Sequence, residues 1–313
     1  MRTLAAIVLV HGIAQEQLGA DSLEAVWLPA LAGGIRNAGN HQLADQLWRT
    51  TRPGTLSTRM AYYGDYFLDP GSQGGALTEP LGPQAEEIAE QLAEIWLRNA
   101  VEHADDPRDR VAAERGLTDL DQSLPGRQGT PAALRPAMNG LARLRWFAPL
   151  GAALAGRFVN RALTQVARYL TEETIRIGAQ DRVLRLIDAD TRLVVGHSLG
   201  SVVAYEALHR TDHHTALLTL GSPLGLRTIV YDRLRPQPTH VPDAVTRWDN
   251  LVDQDDLVAA HLDLAPYFPP APGRAVAPVT PPAVDNGAQP HDATHYLTKP
   301  RTGRIIERAV ETQ

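Results

Sequence analysis

Residues 192–208 read RLVVGHSLGSVVAYEAL, an apolar β-branched run that meets Gly196-His197-Ser198-Leu199-Gly200 and passes directly into a helix-forming segment. A strand that turns this sharply into a helix needs small residues two positions before and two after the apex, because side chains there would collide as the backbone doubles back. Gly196 and Gly200 stand at those two positions. The turn therefore lifts Ser198 above the end of a strand and sets it at the start of a helix.

Outward from this stretch, apolar runs alternate with amphipathic ones. Residues 4–10 form a continuous apolar run, as expected of a strand covered on both faces. Asp21 and Glu24 mark a helix start and Gly39 its stop, with Pro29 kinking that helix or opening its second part. A strand is expected over 57–63. After the 199–210 helix, strands are expected at 216–220 and 244–248, a Pro- and Ala-rich loop at 266–290, and a closing helix at 301–310. Strands alternating with helices predict an α/β fold with a mostly parallel sheet.

Between about 65 and 157 the pattern changes. Gly and Pro cluster at 70–83, and a helix carrying Ile88, Leu92, Ile95 and Trp96 on one face follows. Charged, Gly- and Pro-rich sequence then runs to about 136. A further helix is expected near 156–178, where Val159, Leu163, Val166 and Leu170 recur at helical spacing. The segment reads as an insertion with one or two helices of its own inside a single domain spanning 1–313.

The chain has 313 residues, a net charge of -6 and no cysteine. The charge argues against nucleic acid as a partner, and the missing cysteine excludes disulfides, a catalytic thiol and thiolate metal sites. The first apolar run is too short for a membrane span and ends in His11-Gly12 rather than a cleavage site, so a buried strand in a cytoplasmic protein is the expectation. No P-loop, dinucleotide fingerprint or H-E-x-x-H motif is present. Neither a cofactor nor a metal is expected, and His209, His213 and His214, in a polar turn at a helix end, read as partners of the helix dipole.

With its Gly-bounded serine between strand and helix, the core, roughly 1–65 and 157–313, resembles the lipase-like branch of the α/β-hydrolase family. The resemblance implies a serine nucleophile followed in chain order by an acid and then a histidine. Of the four aspartates in 248–259, Asp256 followed by Leu257 and Val258 matches the family's acid position, with Asp253 the alternative. His295, beside Tyr296 and just before a closing helix, matches the base better than His291, and His261 follows Asp256 too closely. The family also implies an oxyanion site made by the backbone N–H of Leu199 and that of Ile13, which follows His11 and Gly12 at the end of the first strand. The Gly221-Ser222-Pro223 loop is either a structural turn or a substrate contact.

The expected function is cleavage of a carboxylic ester, the partner being a small-molecule, hydrophobic acyl substrate. Thioester hydrolysis and acyl transfer are the enzymatic alternatives, and ligand binding on an inactive scaffold is the alternative of another class. The insertion corresponds in chain position to a lid. Its stretch 143–154, apolar with arginines at one end, suits a lid, a peripheral membrane contact or packing onto the core. Oligomeric state has no signature in these residues.

Overall fold

The computed structural model describes residues 5–49, 52–69, 71, 80–104, 106–123, 131–144, 152–259 and 263–311. The chain divides into two compact units, one made of Met1–Tyr66 with Ile177–Gln313 and the other of Phe67–Arg176.

The first unit holds the sheet. Strand β1 (Ile7–Val10) is followed by helices α1 (Ala20–Asn37) and α2 (His41–Leu47), a small antiparallel pair β2 (Trp48–Arg49) and β3 (Arg52–Pro53), and strand β4 (Thr58–Ala61). In the second unit α3 (Pro83–His103), α4 (Pro107–Ser123), α5 (Pro131–Ala142) and α6 (Ala152–Thr171) pack on one another. Helix α7 (Glu173–Leu184) leads back to β5 (Leu193–His197), α8 (Leu199–Leu208), β6 (Thr215–Leu220), β7 (Val245–Leu251), β8 (Pro278–Val279), α9 (Ala293–Leu297) and α10 (Pro300–Glu311). Six strands form one sheet in the order β4-β1-β5-β6-β7-β8, every described pairing parallel.

Parallel strands with both faces covered read as unbroken apolar runs, and IVLV in β1, LVVGH in β5 and TALLTL in β6 are buried at every position. Ile7, Leu9, Leu193, Val195, Leu218 and Leu220 join the core formed with α1, α2, α9 and α10. The intervening Val8, Val194 and Leu217 are equally buried and face the other way, where α8, buried along its whole length, packs on β5, β1 and β6.

This order sets the place of the site. From β1 the chain first adds β4 on one side and later β5 on the other, and the helices following β1 and β5 lie on opposite faces. The C-terminal ends of two adjacent strands whose loops part in this way leave a crevice, the usual ligand position in open α/β sheets. His11-Gly12-Ile13 and His197-Ser198-Leu199 are the residues at those two ends.

Several expectations are corrected. Helix α1 runs through Pro29 without dividing. The second unit extends to Arg176, past the expected 157, because α6 continues unbroken through that position. Among the described residues it holds three helices, α3, α4 and α5, where one or two were expected, ahead of α6, which lies where the helix near 156–178 was expected. Pro107 and Pro131 open α4 and α5 as first helical residues, where a missing N–H costs nothing, so proline reads there as a start rather than a break. Within the expected 266–290 loop lies the short edge strand β8. Residues 145–151 of the expected lid stretch, and His261, lie outside the described residues. Among the described residues no helix is long and apolar enough to cross a membrane.

Candidate active site

Four adjacent strand ends build the site, those of β1, β5, β6 and β7. At β5, Ser198 has φ 53° and ψ -130°, backbone that a non-glycine residue adopts only under strain. Only Ala14, at φ 60°, shares a positive φ among the described non-glycine residues, and it lies in the loop after β1. The strain at Ser198 is held by the packing around it. A methyl on Gly196 would lie 2.7 Å from Ser201 Cα, and one on Gly200 would lie 2.3 Å from the carbonyl oxygens of both Val10 and His11. Gly200 thus seats α8 directly on the end of β1.

Hydrogen bonds brace the same turn. Ser198 N–H donates to Leu220 O at 3.0 Å, and Ser201 Oγ–H donates to Ser198 O at 2.6 Å. Ser201 has one proton and has given it, so the 2.7 Å contact with Ser222 is a donation from the Ser222 hydroxyl. Ser222 Oγ in turn accepts from Leu224 N–H at 3.3 Å. The 221–223 loop is therefore a structural turn that supports the elbow.

The loop after β1 approaches from the opposite side. A methyl on Gly12 would lie 2.8 Å from Ser198 Cβ and 3.2 Å from His197 Nδ1, so the Gly12–Ile13 peptide lies beside the apex. Leu199 is the first residue of α8, whose first-turn N–H groups have no acceptor within the helix. His11 fixes the loop. Its Nδ1–H donates to Gly12 O at 2.7 Å, Nε2 accepts from Tyr63 N–H at 3.1 Å, and its ring stacks on Tyr63 with centroids 4.2 Å apart. Tyr63 O–H also donates to His11 O at 2.7 Å. Burial lowers the His11 pKa to about 4, against the weaker opposing pull of the Gly12 carbonyl, and this network accepts only the neutral ring.

Beyond β7, Asp256 is buried and accepts from the Nδ1–H of His291 on both oxygens, at 2.9 and 2.8 Å. Val258 N–H donates to Oδ1 at 3.0 Å, and Tyr296 O–H donates to Oδ2 at 2.9 Å. The alternative acid, Asp253, spends Oδ1 on Asp255 N–H and Oδ2 on Asn286 N–H. Burial raises its pKa despite those two donors.

The histidine expected as the base is corrected: it is His291, not His295, that meets the acid. His295 lies inside α9, where its N–H helps to satisfy the capping carboxylate of Asp292, and its Nδ1 is 2.9 Å from Asn286 O. His291 stands just before that cap, in the segment that reaches the sheet edge.

His197 ties the base to the elbow. Its Nε2–H donates to the backbone carbonyl of His291 at 2.8 Å, and the two rings lie 4.7 Å apart. Burial, then the neighbouring His291, lowers the His197 pKa to about 3, with Asp256 opposing, so this ring is a neutral donor. His209 departs from its expected part as a cationic dipole partner, since burial and then His240 lower its pKa to about 4. His213 and His214 are exposed.

His291, Ser201, Tyr63 and Tyr296 are the members of this arrangement that the sequence reading did not select. Asp292-Ala293-Thr294 is the signal that could have found His291, because an Asp cap puts 293–297 into a helix and leaves 291 before it. Comparison with protein-family models, with curated proteins and with solved structures gave no match.

Proposed function

We propose that this chain is a serine hydrolase of the α/β-hydrolase type that cleaves a carboxylic ester through an acyl-enzyme on Ser198. The observation that carries the reading is the buried Asp256 bonded through both oxygens to His291 Nδ1–H, on the same sheet edge as the strained Ser198 turn. A serine hydroxyl becomes a competent nucleophile when a base takes its proton and a third group orients that base. With Nδ1 committed to Asp256, the proton falls to His291 Nε2.

In the first half-reaction Ser198 Oγ attacks the carbonyl carbon while Nε2 accepts its proton. The tetrahedral oxyanion receives hydrogen bonds from the N–H groups of Leu199 and Ile13, at the positive end of α8. Collapse expels the alcohol, which takes the proton from His291, leaving the acyl group on Ser198. In the second half-reaction Nε2 deprotonates water, which attacks the acyl carbon, and the proton returns to Ser198 as the acid leaves. Asp256 stays ionised throughout and stabilises the imidazolium that forms twice. On its position in the chain, the helical unit is assigned the part of a lid.

The test is intact mass after treatment with a fluorophosphonate, comparing wild type with Ser198→Ala, alongside turnover of short and long p-nitrophenyl esters. One adduct on wild type and none on the variant, with turnover, is the expected result. An adduct with turnover only when an alcohol or amine acceptor is supplied would identify an acyltransferase. Absence of both adduct and turnover would overturn the enzymatic reading in favour of ligand binding.

A further inference from the structure

The proposed reaction needs an acid and a base, and it leaves Tyr296 unused. Tyr296 is fully buried, and its hydroxyl makes two hydrogen bonds, donating to Asp256 Oδ2 at 2.9 Å and accepting from Asp253 N–H at 2.8 Å. The ring is wedged against Gly221, whose φ is +51° and where a methyl would lie 3.2 Å from Tyr296 Cε2 and 2.5 Å from Asp256 Oδ2. From the other side, the Tyr296 carbonyl accepts from Thr302 Oγ1–H at 2.6 Å. The phenol is therefore fixed by the β6 loop and the acid loop, and its main chain by α10.

We propose that Tyr296 is a positioning residue of the catalytic machinery, whose hydroxyl holds the Asp256 carboxylate in the plane of His291 and shares its negative charge. Burial, then the adjacent Asp256, raises the phenol pKa well above its ordinary value, so the group remains a donor across any working pH. Three donors serve the carboxylate: His291 Nδ1–H, Val258 N–H and the Tyr296 hydroxyl. The tyrosine bond lies on Oδ2, which is also the oxygen nearer to His291. Charge drawn toward the phenol is charge withheld from the imidazolium, so this bond sets how tightly His291 keeps its proton. The other ionisable groups around the pair are His197 on the elbow, Asp253 on the acid loop, Asp285 near Asp253, Asp292 at the N-cap of α9 and His295 within α9.

The inference rests on Asp256 and His291 being the working pair, and its test has a readout that does not need turnover. In Tyr296→Phe the ring stays and the hydroxyl goes. The low-field proton resonance of His291 Nδ1–H, identified by its loss in His291→Gln, is expected to move. Where esters are turned over, kcat falls about tenfold with KM nearly unchanged, the size of one hydrogen bond to a charged group. The acid limb of the rate profile shifts to higher pH, because Asp256 then holds the imidazolium more firmly. Site-specific 3-fluorotyrosine at 296 keeps the fold and strengthens the donor, and it moves the limb the opposite way. An unmoved resonance in both variants, or equal profiles in folded proteins, overturns the inference. Failure of wild type itself to label or turn over overturns the hydrolase reading separately, and the resonance still decides the part of Tyr296.

Discussion

Two adjacent strand ends carry a buried neutral histidine each, yet they use it differently. In the loop after β1, His11 bonds to its own neighbour Gly12 and to Tyr63 just beyond the adjacent strand β4, so the loop is complete within the first fifth of the chain. In the turn after β5, His197 reaches across to the carbonyl of His291, 94 residues further on. Each end also holds a non-glycine residue at positive φ, Ala14 and Ser198. The first loop is a self-contained scaffold that presents backbone donors. The second couples the nucleophile's turn to the base.

Forcing the two ends apart has the largest expected effect. Gly200→Ala drives a methyl to 2.3 Å from backbone oxygens of Val10 and His11, which cannot yield as a flexible side chain would. A loss of about 4 kcal/mol or more, or failure to fold, is expected in chemical denaturation. A variant folding with wild-type stability would show that the helix need not sit on β1.

Acid should weaken both ends together. His11 and His197 have ordinary pKa values of 6.5 that fall to about 4 and about 3 in the folded chain. The unfolded chain therefore binds more protons below pH 6.5, and stability drops as pH falls, by about 1.4 kcal/mol per unit for each ring, until each folded pKa is passed. Denaturation midpoints measured from pH 7 to 4 should fall steadily, and His197→Asn should flatten part of that slope.

Replacing the histidines singly separates their parts. His11→Ala should cost about 2–4 kcal/mol of stability, since it removes a buried ring and orphans the Tyr63 N–H. His197→Ala should instead show its main effect in the labelling rate of Ser198, lowered roughly 10-fold or more by a base loop that has lost its tether. Equal partition of the two effects in both variants would erase the distinction. The smallest effect is a gain: Ser198→Gly, which relieves the positive φ, should stabilise the fold by about 1 kcal/mol while abolishing labelling.

Much of this arrangement is legible in the residues alone. Apolar runs buried on both faces announce β1, β5 and β6, and the glycines two either side of Ser198 announce the turn. Asp256 is separable from Asp253 in sequence only through a family likeness. In three dimensions the difference is that Asp253 is consumed by backbone donors. The aromatic neighbour of His295 points sequence reasoning to the wrong histidine, because Tyr296 serves Asp256 in the fold. Helix α4 hides in charged sequence, and both α4 and α5 begin with a proline that reads as a break. Their contact depends on Gly116 and Gly140, where a methyl on Gly140 would lie 2.8 Å from Gly116 Cα, and glycine read as a breaker conceals such a pairing.

The most direct test compares two histidines four positions apart. The rate of fluorophosphonate labelling at Ser198 should fall by about 10²–10⁴ in His291→Ala, the worth of a general base, and stay within about tenfold of wild type in His295→Ala. The reverse pattern, with His295 essential and His291 dispensable, would contradict the Ser198–His291–Asp256 assignment.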